Sequence, residues 1–240
     1  MASIYVNNVS VFFSRVDKRR KLFPSLRTKP PLEPSLERPV LKNLTFKLED
    51  GDRVGIIGKN GAGKTTLLRV LSKIIKPSSG QVLIDGKIAS LFGPLPFVSN
   101  ELTALDNIKN YCRLTEIKKQ KIPEVIEDIR KFTELGDYFE QPLSIYSAGM
   151  LTRFTFGLMT SFEREIVILD EGIGAGDHFF QSKVSSRLDE VYSKARILVA
   201  ASHSEGLIQS TCNKCIWIEN GEILMFGDVD ECFSLYKARG

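Results

Sequence analysis

The sequence predicts an α/β fold built around a mostly parallel sheet, and three observations support this prediction. Residues 58–65 read Gly-Lys-Asn-Gly-Ala-Gly-Lys-Thr, which is the pattern G-x-x-x-x-G-K-T of a phosphate-binding loop. A short apolar segment, 53–57, precedes this loop, and residues 66–71 have the apolar spacing of a helix. Two further apolar runs, 166–169 and 197–201, are continuous rather than alternating, as in strands buried within a parallel sheet.

The loop at 58–65 predicts that the chain binds a nucleoside triphosphate. Its glycines let backbone N–H groups turn inward around the α- and β-phosphates, and the following helix directs its positive dipole at the same anion. We expect Lys64 to reach the β- and γ-phosphates and Thr65 to ligate Mg²⁺. The alternative, a glycine-rich turn that binds nothing, is disfavoured because the octet is restrictive and both flanks are present. The predicted nucleotide contacts are Gly58, Lys59, Asn60, Gly61, Ala62, Gly63, Lys64, Thr65 and Thr66.

Composition sets outer limits on the class of protein. With 42% hydrophobic and 26% charged residues, the chain of 240 residues is typical of a globular protein and predicts a single domain, 1–240. Lys and Arg exceed Asp and Glu by 33 − 29 = 4, an excess too small to predict nucleic acid as a partner. The sequence contains no apolar run of about 18 residues and no secretion signal, so it predicts a cytoplasmic chain without a membrane span.

The amino-terminal half alternates predicted strands with loops. Residues 4–13 form the first predicted strand. The basic, proline-rich segment 14–38 is a predicted loop, because dense prolines exclude a regular helix or a central strand. Residues 40–48 alternate after Asn43 as a half-buried strand does, and residues 80–86 form another short strand closed by a turn.

The carboxy-terminal half contains a helical region and a hairpin. Residues 109–139 are richly charged with recurrent Ile, Val and Leu, which predicts helices. Segments 216–219 and 222–226 flank Asn220-Gly221, which is a type I′ hairpin signal. Only a short helix can follow before residue 240.

Two acidic residues follow the apolar run at 166–169. Asp170 and Glu171 are expected at the carboxyl end of a buried strand, which lies beside the phosphate site in a nucleotide-binding α/β protein. We expect Asp170 to hold Mg²⁺ through water and Glu171 to orient and polarise the attacking water. A hydrophobic strand followed by Asp-Glu is a weak signal alone, but beside a complete phosphate loop it becomes strong.

A histidine follows the second continuous apolar run. His203 comes after 197–201 and Ser202, and from this position it can donate a hydrogen bond to the γ-phosphate. A lone histidine at a strand end is more often structural, but its predicted place in the same sheet as the phosphate loop favours a functional role. Glu171 and His203 are therefore the candidate catalytic residues.

Together these motifs resemble the ATP-binding subunits of ABC transporters over essentially the whole chain. Residues 58–65 match the Walker A motif, and 166–171 match Walker B with its catalytic glutamate. His203 falls at the switch histidine, and Asp177 stands where the D-loop aspartate, a nucleotide-site residue, is expected. Residues 146–150, Tyr-Ser-Ala-Gly-Met, occupy the position of the signature, which usually reads Leu-Ser-Gly-Gly-Gln. The resemblance implies a P-loop NTPase fold with a mostly parallel central sheet, an antiparallel β subdomain and a helical subdomain.

The same resemblance implies a helical subdomain at about 92–160, the cofactors ATP and Mg²⁺, and a homodimer. In this family the signature of one subunit covers the γ-phosphate bound by the other, so Ser147 and Gly149 are expected to complete the partner's site. An aromatic residue before the basic loop is expected to stack on adenine. Of Phe12 and Phe13 we favour Phe13, and the alternative is that one of them is a core residue of the first strand.

Three departures from the family pattern point to a subfamily. No glutamine occurs from 82 to 119, so about Gly93 or Pro94 stands at the Q-loop position. The signature has Tyr146, Ala148 and Met150 where Leu, Gly and Gln are common, and Gly172-Ile173 replaces the common Pro-Thr. These features resemble the ATPases of bacterial exporters of O-antigen, capsular polysaccharide or teichoic acid. This resemblance implies a polytopic permease as partner, a lipid-linked polysaccharide as transported substrate, and a peripheral position on the cytoplasmic face of the inner membrane. Some O-antigen exporter ATPases of this kind carry an additional carboxy-terminal carbohydrate-binding domain, and we expect this chain to lack it because only a short helix follows the hairpin.

Two alternatives stay open. The chain can instead be an ABC ATPase for another substrate, or a soluble ABC ATPase that transports nothing. The basic loop also has two interpretations, because residues 15–29 carry seven Lys or Arg against the single acid Asp17. A solvated loop is the default, and the alternative is a contact with anionic lipid headgroups or with a lipid-linked pyrophosphate.

Overall fold

The computed structural model describes residues 1–14, 37–93, 97–170, 178–202 and 204–239. The strands are β1 (Ser3–Ser14), β2 (Glu37–Glu49), β3 (Arg53–Ile57), β4 (Ser79–Asp85), β5 (Ile88–Ser90), β6 (Ile166–Leu169), β7 (Ile197–Ala201), β8 (Lys214–Glu219) and β9 (Glu222–Asp228). The helices are α1 (Lys64–Leu71), α2 (Ala104–Leu114), α3 (Ile122–Thr133), α4 (Ala148–Thr160), α5 (His178–Lys194), α6 (Glu205–Thr211) and α7 (Val229–Arg239). Most of the predicted basic loop lies outside the described residues.

The central sheet has the strand order β5-β6-β7-β3-β8-β9. Its neighbouring strands run parallel except for β9, which is antiparallel to β8. In β6, Ile166 and Ile168 enter one hydrophobic core while Val167 and Leu169 enter the core on the opposite face. Because both faces of the sheet are covered, every residue of the strand is buried and the sequence reads as a continuous apolar run. The predicted mostly parallel sheet is therefore confirmed.

A second, antiparallel sheet has the order β2-β1-β4. In β2, the predicted alternation is present after Asn43, where a positive φ of 50° and a register shift interrupt the pairing with β1. Beyond this point Leu44, Phe46 and Leu48 are buried. They pack in the same core as one face of the central sheet and α1. The phosphate loop between β3 and α1 is thus held from both sheets.

The helices α2, α3 and α4 enclose a hydrophobic core of their own. Its buried members include Ile108, Cys112, Ile129, Phe139, Phe154 and Leu158. Thr103 caps the start of α2, because its hydroxyl oxygen accepts the N–H of Asp106 at 3.0 Å. Among the described residues, no helix is long and apolar enough to cross a bilayer.

The β8–β9 hairpin forms where the sequence predicts it. Asn220 and Gly221 have positive φ angles of 50° and 81°, as the two central residues of a type I′ turn require. The turn packs tightly against β2, since a Cβ atom on Gly221 would lie 2.4 Å from the Val40 carbonyl oxygen. The hairpin thereby supports β2, the strand that borders the phosphate loop.

Candidate nucleotide-binding site

The phosphate loop follows β3 and leads directly into α1. Gly58, Gly61 and Gly63 have φ angles of 146°, 80° and 115°, a region that residues with side chains rarely adopt. Gly63 is the N-cap of α1 and provides no side chain to accept the N–H groups of the first turn. Those N–H groups have no partner within the helix, so they can bind an anion placed at its end.

Two of these glycines also allow the loop to approach neighbouring strands. A Cβ atom at Gly58 would lie 2.1 Å from the carbonyl oxygen of Ile218 in β8, and one at Gly63 would lie 2.7 Å from Leu41 Cδ2 in β2. Gly61, by contrast, has no atom within 4 Å of such a Cβ position. The loop is therefore packed on the protein at Gly58 and Gly63 and open at Gly61.

We expect Gly58→Ala to lower the free energy of unfolding by about 2 to 4 kcal/mol, because the new methyl group meets a backbone oxygen and the φ angle is strained. Thermal or denaturant unfolding measures the loss. Gly61→Ala is the matched control, because it adds the strain without the collision and is expected to cost about 1 kcal/mol. Equal losses in the two variants would show that packing against Ile218 does not matter.

A cleft of about 330 Å³ lies against the phosphate loop. Three of the residues that line it differ in chemistry: Lys64 offers an ammonium group, Thr65 a hydroxyl group and Asp170 a carboxylate group. Lys64 is buried, and its Nζ donates hydrogen bonds to the carbonyl oxygens of Gly58 at 2.7 Å and Lys59 at 3.4 Å. These bonds hold the ammonium group inside the curve of the loop.

This set of groups fits a magnesium nucleotide. The ammonium of Lys64 and the N–H groups at the start of α1 suit phosphate oxygens, while the Thr65 hydroxyl and the Asp170 carboxylate are oxygen donors of the kind Mg²⁺ prefers. Asp170 directly follows β6, which is separated from β3 by β7 alone. Because these parallel strands end at the same edge of the sheet, residues more than a hundred positions apart meet in one cleft.

Three predicted site residues lie outside the described residues. They are Glu171, Asp177 and His203. Their roles stay predictions, although the strand ends that precede Glu171 and His203 are described and lie at the edge of the sheet that carries the phosphate loop. Pro94 at the Q-loop position and the Gly172-Ile173 pair also lie outside.

The structure does not bring Ser147 and Gly149 to the cleft. Ser147 is exposed and caps α4, where its hydroxyl oxygen accepts the N–H of Met150 at 3.2 Å. Gly149 is exposed in the first turn of α4, and a Cβ atom there would find only Ser147 Oγ, at 4.0 Å. The signature therefore presents an open helix amino terminus on the surface of the subunit.

Phe12 and Phe13 both face outward. Their exposed fractions are 38% and 46%, so the alternative that one of them is a core residue is wrong. The alternation of β1 breaks because its pairing with β2 shifts register between Val11 and Phe12. Stacking of Phe13 on adenine stays a prediction.

One lining residue was missed by the sequence-based prediction. Val40 of β2 borders the cleft together with Asn60, Gly61 and Gly63. It is an ordinary strand residue whose position depends on the packing of β2 against the loop, so no local pattern marks it. Its contact with the site follows only from the tertiary fold.

Comparison with known proteins agrees with this geometry. The family model described as ABC transporter matches residues 41–174. The teichoic acids export ATP-binding protein TagH of Listeria innocua is 30% identical over 235 residues, which cover 95% of this chain and 70% of that protein. The O-antigen export system ATP-binding protein RfbE of Yersinia enterocolitica is 40% identical over 187 residues, which cover 76% of this chain and 77% of the relative.

Solved structures show the same fold. An ATP-binding subunit of an ABC transporter superposes with a TM-score of 0.74 at 18% identity, covering 99% of this chain and 94% of that chain. An ATP-binding cassette in a dimeric post-hydrolysis state with ADP and Pi superposes with a TM-score of 0.69 at 18% identity, covering 94% of this chain and 98% of that chain. The chain belongs to the ABC transporter family.

Proposed function

We propose that the chain is the ATP-hydrolysing subunit that powers export of a lipid-linked surface polysaccharide, of O-antigen or capsule type, across the cytoplasmic membrane together with a transmembrane permease. The observation that carries this proposal is the similarity, at 30 to 40% identity over most of the chain, to ATP-binding subunits named for teichoic acid and O-antigen export. The departures from the common signature and from the common residues after the catalytic glutamate support the same subfamily.

In this proposal the residues of the cleft bind and orient the nucleotide. Bound MgATP supplies the γ-phosphoryl group that is transferred to water. Lys64 and the N–H groups of the phosphate loop bind the phosphate oxygens, while Thr65 would ligate Mg²⁺ directly and Asp170 would hold it through water. Glu171 orients and polarises the attacking water, and His203 donates a hydrogen bond to the γ-phosphate. Phe13 stacks on adenine.

The proposed active form is a homodimer. One subunit offers the cleft, and the other offers the exposed amino terminus of α4 with Ser147 and Gly149. An amino-terminal helix dipole and its open N–H groups favour a γ-phosphate there, so bound ATP stabilises the pair. Asp177 is assigned to the same interface. Hydrolysis removes the γ-phosphate and with it the preference for the closed pair.

A second cleft of about 490 Å³ lies between the central sheet and the helical core, and it is the proposed binding site for the permease. Its lining combines the apolar Ile74, Phe92 and Met159 with the cations Lys73 and Arg164. Ile74 is 49% exposed, although burying a large aliphatic side chain lowers the free energy. Such a groove suits a short amphipathic helix with an acidic residue. Binding there places the subunit peripherally on the cytoplasmic face of the inner membrane.

Deleting the gene tests the proposal in cells. We expect undelivered lipid-linked glycan to accumulate inside the cell and the surface polysaccharide to disappear, because the permease loses its source of free energy. A plasmid copy of the parent restores delivery, and a Lys64→Ala copy does not. Normal surface polysaccharide in the deletion strain would contradict the proposal.

Copurification separates the remaining alternatives. The proposed exporter subunit copurifies from detergent extracts with a polytopic membrane protein, and the Ile74→Asp variant loses that partner because a carboxylate enters the apolar groove. A permease that transports a different substrate would indicate an ABC ATPase for another substrate. Recovery without any membrane protein would indicate a soluble, non-transport ABC ATPase.

A further inference from the structure

The segment that leads into α4 is anchored at regular intervals. Leu135, Phe139 and Leu143 recur every four residues, and each is buried in or against the helical core. The backbone forms two short 3₁₀ turns in this segment, Gly136–Glu140 around the second anchor and Leu143–Ile145 from the third. The last anchor precedes the cap residue Ser147 by four positions. The backbone between them is hydrogen-bonded, since the Ser144 N–H donates to the Asn100 carbonyl oxygen at 2.8 Å and the Tyr146 N–H donates to the Leu143 carbonyl oxygen at 3.0 Å.

The side chain of Tyr146 adds a further link between this segment and its surroundings. Its hydroxyl donates a hydrogen bond of 2.7 Å to the carbonyl oxygen of Tyr138, which also accepts the N–H of Gln141 at 2.9 Å. Its ring packs edge-on against Phe154 of α4, with the ring centroids 6.5 Å apart. Tyr146 directly precedes Ser147, the N-cap of α4, and its side chain thus connects the first 3₁₀ turn to this helix.

The hydroxyl keeps its proton under all physiological conditions. Burial raises the pKa of Tyr146 to about 12, and the nearby carboxylate of Glu140 acts in the same direction. The phenol therefore stays a donor to the Tyr138 carbonyl. Leucine, the common residue at this place in the signature, has no group that can make this bond.

We propose that Tyr146 is a positioning residue for ATP hydrolysis: its hydroxyl bond to the Tyr138 carbonyl fixes the amino terminus of α4 in the orientation that the nucleotide of a second copy requires. This inference rests on the proposed function. The N–H groups at the start of α4 and the Ser147 hydroxyl act on the γ-phosphate only when they point at it, and a displacement of about 1 Å is enough to weaken such contacts strongly. Without the bond, the backbone bonds and the ring contact with Phe154 remain, but the link to the Tyr138 carbonyl that restricts the orientation of the helix amino terminus is lost.

Tyr146→Phe removes the oxygen and keeps the ring against Phe154. The test uses the Glu171→Gln background, in which ATP is expected to persist and hold the dimer. The loss of one hydrogen bond weakens the dimer contact at each site by a factor of about 5. A symmetric dimer has two such sites, so the dimer dissociation constant at saturating ATP is expected to rise about 25-fold. Sedimentation or light scattering measures it. Tyr5→Phe, which removes the hydroxyl of a tyrosine in β1 that is 37% exposed, is the control and is expected to leave the constant unchanged.

Two further measurements separate positioning from simple destabilisation. ATP affinity of the separate subunits is expected to match the parent because the cleft is intact, and the melting temperature is expected to fall by no more than about 2 to 4 °C, the cost of one hydrogen bond. The inference is overturned if Tyr146→Phe dimerises like its parent, or if weaker dimerisation comes with an equal loss of monomer ATP affinity or of folded protein. Failure of the proposed function looks different, because then the Glu171→Gln parent itself does not dimerise with ATP.

Discussion

Lys64→Ala is expected to reduce ATP hydrolysis at least about 100-fold, the usual cost of removing one group that stabilises transition-state charge. The ammonium group of Lys64 is buried within the curve of the phosphate loop, where water screens its charge only weakly. Without it, the β- and γ-phosphates lose their cationic contact. Phosphate release by the purified subunit measures the effect.

The matched control for this variant is Lys76→Ala, which removes an exposed lysine shortly after α1 and is expected to hydrolyse ATP at the parent rate. Circular dichroism and thermal unfolding establish that both variants are folded. Hydrolysis by Lys64→Ala within tenfold of the parent would mean that the cleft along 58–65 is not the hydrolytic site.

Glu171→Gln is expected to lower ATP hydrolysis by a factor of about 10² to 10⁴, which is the range that a general base contributes. The amide keeps the size of the carboxylate but cannot accept a proton from the attacking water. ATP binding is expected to persist, because Lys64 and Thr65 are unchanged, so the ATP-bound dimer should accumulate. Parallel assays of phosphate release, nucleotide binding and molecular mass test the three parts of this prediction.

Glu165→Gln serves as the control at the opposite end of the same strand. Glu165 accepts the backbone N–H of Lys87 at 3.0 Å, a bond that the amide oxygen of glutamine can also accept. Normal hydrolysis is expected. If Glu171→Gln hydrolyses ATP like the parent, the assignment of Glu171 as the catalytic carboxylate is wrong.

Much of the fold follows from patterns that span only a few residues. The run at 166–169 is apolar throughout because alternate side chains enter cores on opposite faces of the sheet, and this pattern is visible in the sequence. The phosphate loop is equally local, since its conformation depends on glycines at fixed spacing. The placement of Asp170 in the cleft needed one further rule, that parallel strands of a sheet end at the same edge.

The rest depends on contacts between distant segments. Val40 borders the cleft because β2 packs on the loop, and strand pairing of this kind leaves no local signal. The outward position of both Phe12 and Phe13 results from a shift in register between β1 and β2, which alternation within β1 could not predict. The bond from Tyr146 to Tyr138 closes a segment without helical or strand periodicity, so only the folded structure reveals it.

A mixing experiment tests the composite site between two copies most directly. Gly149→Asp places a carboxylate where the partner's γ-phosphate would lie, and the space around Gly149 accepts it without collision in the single subunit. Asp in the first turn is also compatible with the helix dipole. We therefore expect Gly149→Asp to fold and bind ATP normally but to hydrolyse it poorly.

Neither Lys64→Ala nor Gly149→Asp should hydrolyse ATP alone, but a mixed dimer contains one site with both defects and one site with neither. An equimolar mixture is therefore predicted to recover up to about a quarter of the parent rate, because half of the dimers are mixed and each has one intact site. A mixture as inactive as its two components, or full activity in Gly149→Asp alone, would contradict a site shared between two copies.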